Sequence, residues 1–489
     1  MENLPGMIEL DNIVFRYYEN MKHNILDHVS LKINTGGITV IMGSSGCGKS
    51  TLAAVSCGLL PENGGFLESG EIRLAGKKLS ELNQKERAVQ MTMCFQNPDL
   101  QFCMDTLRKE MRFCMENLCI PAEEMDGKIE NAARELQIEE LLDQKLHNLS
   151  GGEKQKAALC CLYVMESRCF LLDEPFANID EESAGKLIEL LLRIRQLREL
   201  TIIVIDHKLK HWLDYADEII LLGKGADVLA RNIRKDNLAD HKELFLQEGI
   251  EYPEEISGKS LPRPQREIAV EVSHVWIPSK SRSRQKKWLL EDLNVQFPEG
   301  CVSALIGPSG CGKTTLFLTL LQQLRCQGSI TFHGRELGKK ELFRQVGIVF
   351  QNPANQFISQ NVRQEVESSI LRWNRGISQE ACAKRVEEML QEYDLQRYHR
   401  YSPYMLSQGQ QRRLAVLSVL AGKQKILLLD EPTYGQDDRS AAAIMKQLET
   451  KIEQEGLTVI LSTHDEELAC QWADHIYRMK DGKIREETI

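Results

Sequence analysis

Two nine-residue blocks, "GSSGCGKST" at 43–51 and "GPSGCGKTT" at 307–315, place Lys49 and Lys313 264 positions apart. Each block fits G-x-x-x-x-G-K-[ST]. Each follows a short apolar stretch ("GITVIM", "CVSALI") and precedes a stretch with helical spacing, the context that makes the pattern a phosphate loop. In such a loop successive backbone N–H groups point inward and a helix N-terminus adds positive potential, so a polyphosphate is held. The holding residues are expected to be Gly43, Ser44, Ser45, Gly46, Cys47, Gly48, Lys49, Ser50 and Thr51 in the first block. Gly307, Pro308, Ser309, Gly310, Cys311, Gly312, Lys313, Thr314 and Thr315 are their counterparts in the second. The two lysines should reach β- and γ-phosphates, and the hydroxyls of Ser50 and Thr314 should meet Mg2+. Cys47 and Cys311 read as small filler residues rather than nucleophiles.

Two further blocks recur. "CFLLDEP" and "ILLLDEP" end apolar runs in Asp173–Glu174 and Asp430–Glu431. The aspartates suit a Mg2+ contact, and the glutamates can polarise an attacking water. "LSGGEKQ" (149–155) and "LSQGQQR" (406–412) set a Ser and a Gly-rich turn at the start of a helical stretch, a second anion nest. It would be formed by Ser150, Gly151 and Gly152 in one copy and by Ser407, Gln408 and Gly409 in the other.

The elements that must position these residues form a duplicated module. "MIELDNIVFRY" aligns with "AVEVSHVWIPS", and "ILDHVSLKI" with "LLEDLNVQF"; Ser150, Asp173 and His207 recur 257 positions later as Ser407, Asp430 and His464. The first copy has nine extra residues around "PENGGFLESGEIRLAG", which reads as a surface insertion. Short β-branched runs alternate with helical patterns, the signature of a parallel α/β architecture. The expected organisation is a first domain over 6–225, a helical stretch and Pro- and charge-rich linker over 226–267, and a second domain over 268–489.

Composition narrows the class. The chain has 489 residues, 42% of them hydrophobic, and 61 basic against 71 acidic residues give a net charge of −10, which argues against a partner held through nucleic-acid phosphates. No apolar run approaches the eighteen or so residues that cross a bilayer, and "MENLPGMIEL" lacks the pattern of a signal peptide. Fourteen scattered cysteines contain no C-x-x-C pair, so a reduced, cytoplasmic protein is expected.

With both signature turns in hand, the sequence resembles two ATP-binding-cassette (ABC) ATPases in tandem. The resemblance spans both modules. It implies two P-loop NTPase domains, each a RecA-like α/β core with an antiparallel β subdomain and a helical subdomain. It implies ATP and Mg2+ as cofactors, with each nucleotide between one module's phosphate loop and the other's signature, so that no self-dimer is required. Gln96 in "CFQNPDLQF" and Gln351 in "VFQNPANQF" resemble the glutamine that touches Mg2+ and the attacking water. His207 and His464 resemble the switch histidine, Asp180 and Asp437 the loop coupling the sites, and Tyr17 the adenine-stacking aromatic. The pattern breaks at Ser279, the counterpart of Tyr17, with Trp276 three residues earlier, and at Gln408, where the family usually has Gly.

"QNPDLQF" and "QNPANQF" are similar to the ATPases of energy-coupling-factor importers, which take up vitamins and transition-metal ions. That implies a peripheral protein on the cytoplasmic face of the membrane, joined to a transmembrane scaffold subunit and a substrate-binding membrane subunit. A membrane-subunit helix is then expected in a groove at Gln96–Phe102 and at Gln351–Phe357, where Asp99 is matched by Ala354. A soluble tandem-cassette translation factor acting on ribosomes would carry a long charged hairpin between modules. A tandem sugar-importer ATPase usually has one eroded half.

Overall fold

The computed structural model describes the chain except residues 1–5, 20, 22, 45, 178, 251, 254–262, 264–266, 280–287, 375, 423, 433–437 and 488–489. Ser45, Asp437 and residues 251, 254–262 and 264–266 of the expected connection therefore lie outside the described residues, as does the Gln408 side chain. The chain divides into two compact units, 1–254 and 255–489.

In the first unit the strands Val228–Ile233, Glu218–Leu222, Gly37–Gly43, Thr201–Ile205, Cys169–Asp173 and Met91–Cys94 form one sheet in that spatial order. All neighbours are parallel except the first pair. The second unit repeats the sheet as Val346–Val349, Ile426–Asp430, Thr458–Thr463, Val302–Ile306, His475–Lys480 and Lys483–Glu487, with only the last pair antiparallel. The central strands are largely apolar, and all but Gly37 of their residues are buried, because both faces are covered. Alternation sorts their side chains: Ile202 and Val204 enter one core, Ile203 and Ile205 the other.

An antiparallel sheet lies beside each core: Leu26–Ile33, Ile8–Arg16, Phe66–Leu74 and Lys77–Lys78 in the first unit. Its counterpart is Trp288–Pro298, Ile268–Pro278 and Gln327–Phe332. The extra residues of the first copy are thus only partly a surface loop. Phe66–Leu74 is a nine-residue strand paired with Ile8–Arg16, longer than the six-residue Gln327–Phe332. A helical layer follows in each: Leu107–Asn117, Ala122–Leu136 and Gly151–Val164, then Val362–Trp373, Gln379–Glu392 and Gln408–Leu420.

The stretch after 225 departs from the expected connection. Val228–Ile233 pairs with Glu218–Leu222, and Ile233, Leu238, Phe245 and Ile250 bury themselves in the first core. Their apolar area outweighs the polar character of the intervening residues, so this segment completes the first unit.

Parallel register sets the site. Asp173 lies level with Ile205, and Ile205 with Ile41, so the phosphate loop, Asp173 and His207 leave the sheet on one edge. Asp430 lies level with Ser462, and Thr463 with Ile306, which does the same in the second unit. Binding sites of open α/β sheets sit outside these carboxyl ends.

Candidate functional site

Each phosphate loop closes on a helix of eight residues, Lys49–Ser56 or Lys313–Leu320. The glycine before each lysine is left-handed, Gly48 at φ 113° and Gly312 at φ 111°. A Cβ there would meet Ile25 O at 2.9 Å or Leu290 Cδ2 at 2.7 Å, so the motif needs glycine for conformation and for space. The lysines are buried and turn back over the loop. Lys49 Nζ donates to Gly43 O (2.7 Å) and Ser44 O (3.0 Å), Lys313 Nζ to Gly307 O (2.6 Å).

The hydroxyl that follows each lysine meets the strand-end aspartate. Ser50 Oγ donates to Asp173 Oδ1 at 3.3 Å, and Thr314 Oγ1 to Asp430 Oδ2 at 2.7 Å. Asp430 also accepts from Ser462 Oγ at 2.5 Å, where the first unit has Ile205. Burial pushes the Asp173 carboxyl up to about 6, helped by the neighbouring Glu174 charge. Asp430 is raised by burial too, opposed by its two hydroxyl donors. Hard oxygen donors on a buried aspartate that resists ionisation suit a Mg2+ ion, which would relieve that cost. Among the described residues no cluster of three or more His, Cys, Asp or Glu side chains could hold a metal ion.

Glu174 (φ 45°) and Glu431 (φ 50°) are left-handed although neither is glycine. Each backbone N–H is tied to the adjacent strand, Glu174 N to Ile205 O at 2.8 Å and Glu431 N to Ser462 O at 3.0 Å. Such strain costs on the order of 1 kcal/mol and concentrates at functional positions; here it ends the strand and turns the carboxylate toward the loop. Glu174 Oε1 lies 2.6 Å from His207 Nε2, and its Oε2 accepts from Gln96 Nε2 at 2.5 Å. Glu431 Oε2 lies 2.8 Å from His464 Nδ1, with Lys313 Nζ 3.5 Å from Oε1. Burial works to raise both glutamates, but the histidine bonds and the histidine and lysine charges outweigh it, and both fall below the usual carboxylate value.

Gln351 makes no comparable bond to Glu431 among the described residues; its carbonyl accepts from the buried Arg412 Nη2 at 2.6 Å. The counterpart of Arg412 is Gln155, whose Nε2 donates to Gln96 O at 3.4 Å. These two residues were not singled out in the sequence, although both fall in the signature blocks. The later residues of the Gln-Asn-Pro motif also have a mechanical role. Asn97 Oδ1 caps Asp99 N (3.1 Å) and Gln101 Oε1 accepts from Phe95 N (2.9 Å), closing a turn behind Gln96. Asn352 and Gln356 repeat it. Buried Glu110 and Glu365 then anchor the far end, each accepting two backbone N–H groups at 2.7–3.0 Å. Asp99 is ion-paired with Lys154 of its own unit at 2.8 Å, so its charge is already partnered.

Ser150 and Ser407 cap the helices Gly151–Val164 and Gln408–Leu420 through capping boxes with Glu153 and Gln410. The first box is acidic: Glu153 Oε2 accepts from Ser150 N and Oγ at 2.8 and 2.7 Å, whereas the second uses a neutral amide. Gly152 is required sterically, since a Cβ would come within 2.9 Å of Ser183 Cβ. Tyr17 presents an exposed ring, edge-on to Phe15 at 5.3 Å, with its hydroxyl 3.0 Å from Thr51 Oγ1 at the loop. Trp276 packs against Trp288, ring centroids 5.6 Å apart, and is half-buried.

Comparison with known proteins gives the site its context. The ABC transporter family profile matches residues 26–177 and 290–434. A Bacillus subtilis protein, YkoD, named for ATP binding in HMP/thiamine import, is 34% identical over 98% of this chain and 91% of its own. A Methanosarcina mazei protein named as an ABC transporter ATP-binding protein is 31% identical over 99% of this chain and 89% of its own. Among solved structures, the archaeal ribosome recycling factor aABCE1, in complex with the stalk protein aP1, shares the fold. Its TM-score is 0.64, covering 97% of this chain and 89% of that one, at 19% identity.

Proposed function

The chain belongs to the ABC transporter family, as an ATPase with two cassettes in one polypeptide, and from that premise we propose that it powers a membrane importer of the energy-coupling-factor type. The observation that carries this reading is the 34% identity along 98% of the chain to a relative named for HMP/thiamine import. A vitamin or vitamin-precursor cargo follows as the substrate class. The repeated Gln-Asn-Pro turn, built alike in both units, supports a common docking mode for two membrane-subunit helices. Among the described residues no helix is long and apolar enough to cross a membrane; in this reading the cargo pathway is assigned to partner subunits.

In hydrolysis, Glu174 and Glu431 accept a proton from the attacking water, which their lowered carboxyl values permit at neutral pH. Gln96 orients that water in the first unit, and His207 and His464 hold the glutamates while offering a donor toward the γ-phosphate. Lys49 and Lys313 leave their loop carbonyls for the β- and γ-phosphates, and the loop N–H groups fix the remainder. Ser50, Asp173 and Gln96, with Thr314, Asp430 and Gln351, would hold Mg2+. Held there, it would neutralise charge developing on the phosphates. The signature turns at Ser150 and Ser407 supply further anion-binding donors.

The test is to isolate the tagged chain from detergent-solubilised membranes of its source and identify what accompanies it. Co-purifying integral membrane subunits support the importer. Sedimentation with ribosomes and no membrane partner contradicts it.

A further inference from the structure

The two units hold the segment after the switch histidine differently. In the first, the carboxylate of Asp206 is buried beneath His207. Its Oδ1 accepts from His207 N at 2.7 Å and from Lys208 N at 3.1 Å, and its Oδ2 accepts from Trp212 Nε1 at 2.8 Å. Trp212 is 1% exposed and stacks on Phe176, with centroids 4.8 Å apart and planes 25° from parallel. The edge of His211 meets Phe176 at 5.0 Å. Phe176 stands two residues beyond Glu174, on the turn that leads to Asp180. The contacts therefore close a ring: Glu174 to His207, His207 to Asp206, Asp206 to Trp212, Trp212 to Phe176, and back along the chain to Glu174.

The second unit lacks this arrangement by sequence. Asp206 is matched by Thr463 and Trp212 by Ala469. Thr463 Oγ1 accepts from Asp465 N at 3.0 Å, and the segment continues as the helix Glu466–Trp472. One hydroxyl oxygen cannot do what two carboxylate oxygens do, which is to hold a main-chain turn on one side and a ring on the other.

We infer that Asp206 is a positioning residue of the first site, fixing through Trp212 and Phe176 the backbone from which His207 reaches Glu174. The inference rests on the reading of His207 as the partner of Glu174 in hydrolysis. A buried carboxylate is costly unless its hydrogen bonds are satisfied, and here three donors satisfy it. Because the ring includes the turn after Glu174, a displacement of that turn is carried to His207 by packed contacts rather than by loop flexibility.

The experiment measures ATP turnover by the full chain carrying Asp206→Thr, Asp206→Asn, Trp212→Phe or His207→Ala, each in a Glu431→Gln parent that silences the second site and whose own rate is the wild-type reference, with thermal unfolding of each. Asp206→Thr installs the residue that the second unit uses. It should lower kcat about tenfold, the rate equivalent of one lost charge-assisted hydrogen bond, with KM for ATP changed less than about twofold. Asp206→Asn keeps an oxygen for the amides of His207 and Lys208 but turns its NH2 toward the Trp212 Nε1–H donor, so it should lower kcat about as much as Trp212→Phe and by less than Asp206→Thr. Trp212→Phe keeps the stack but not the indole donor, and should lower kcat in the same direction by less than Asp206→Thr. It serves as the readout if Asp206→Thr fails to fold. Turnover at the wild-type rate in folded Asp206→Thr and Trp212→Phe would overturn the inference, as would an equal loss in Asp206→Asn and Asp206→Thr. Unchanged turnover in His207→Ala would instead overturn the role of His207 itself.

Discussion

Glu174 and His207 face each other at 2.6 Å through Oε1 and Nε2, and that contact opposes the effect of burial on the glutamate. Burial alone would raise the carboxyl; the histidine bond and charge, with Lys49, bring it below its ordinary value. Glu431 has the same opposition of causes, with Lys313 adding its charge. A general base works deprotonated, so activity falls as pH drops through its pKa. Replacing His207 and His464 together by Ala leaves burial less opposed. The acid limb of the kcat/KM–pH profile should then move to higher pH in whatever activity remains. An acid limb at the wild-type position would show that the histidines do not set the glutamate charge.

Asp173 gives a stability prediction of opposite sign. Its folded value of about 6 lies above the ordinary 3.8, so folding disfavours the ionised form. The penalty is absent below about pH 3.8, grows as pH rises, and is complete above about pH 6, where the shift corresponds to about 3 kcal/mol. Asp173→Asn removes the charge but keeps an oxygen for Ser50. The nucleotide-free protein should gain roughly 1–3 kcal/mol at pH 7.5, less at pH 5, while hydrolysis is lost. Denaturant unfolding at the two pH values checks it; a destabilised Asp173→Asn at pH 7.5 would contradict the account.

Tyr17 offers the first site an exposed ring beside Thr51, whereas Trp276 of the second unit is engaged with Trp288. One base–aromatic stack is worth about 1–3 kcal/mol. Tyr17→Ala in a Lys313→Ala background should therefore weaken binding of a fluorescent ATP analogue by roughly 5- to 150-fold. Trp276→Ala in a Lys49→Ala background should change it little. Equal losses would show that Trp276 serves as the second adenine platform.

What the sequence made legible was chemistry carried by residue type at fixed spacing. The two phosphate loops, Asp173–Glu174 and Asp430–Glu431, and the histidines at strand ends are such cases, because each motif works through its own backbone or side chain. The hydrophobic runs "CFLLD" and "ILLLD" likewise predict buried strands, and all five residues of each are buried. Less legible were residues that act through partners distant in sequence. Asp206 gains its role only when Trp212 folds back on it, and Gln101 reads as a polar loop residue until its amide closes the turn on Phe95. The strand Val228–Ile233 was missed because, at an exposed sheet edge, only Ile233 is buried, so it lacks an apolar face.

The central claim is that this chain hydrolyses ATP with water polarised by Glu174 and Glu431. Steady-state turnover of the purified Glu174→Gln, Glu431→Gln double variant, measured alongside equilibrium ATP binding, tests it most directly. Each Gln keeps the size and hydrogen-bonding reach of the glutamate but cannot take a proton. Turnover should fall by about 10²–10⁴-fold, the usual contribution of a general base, with ATP still bound at both sites. Hydrolysis near the wild-type rate in that variant would contradict the account.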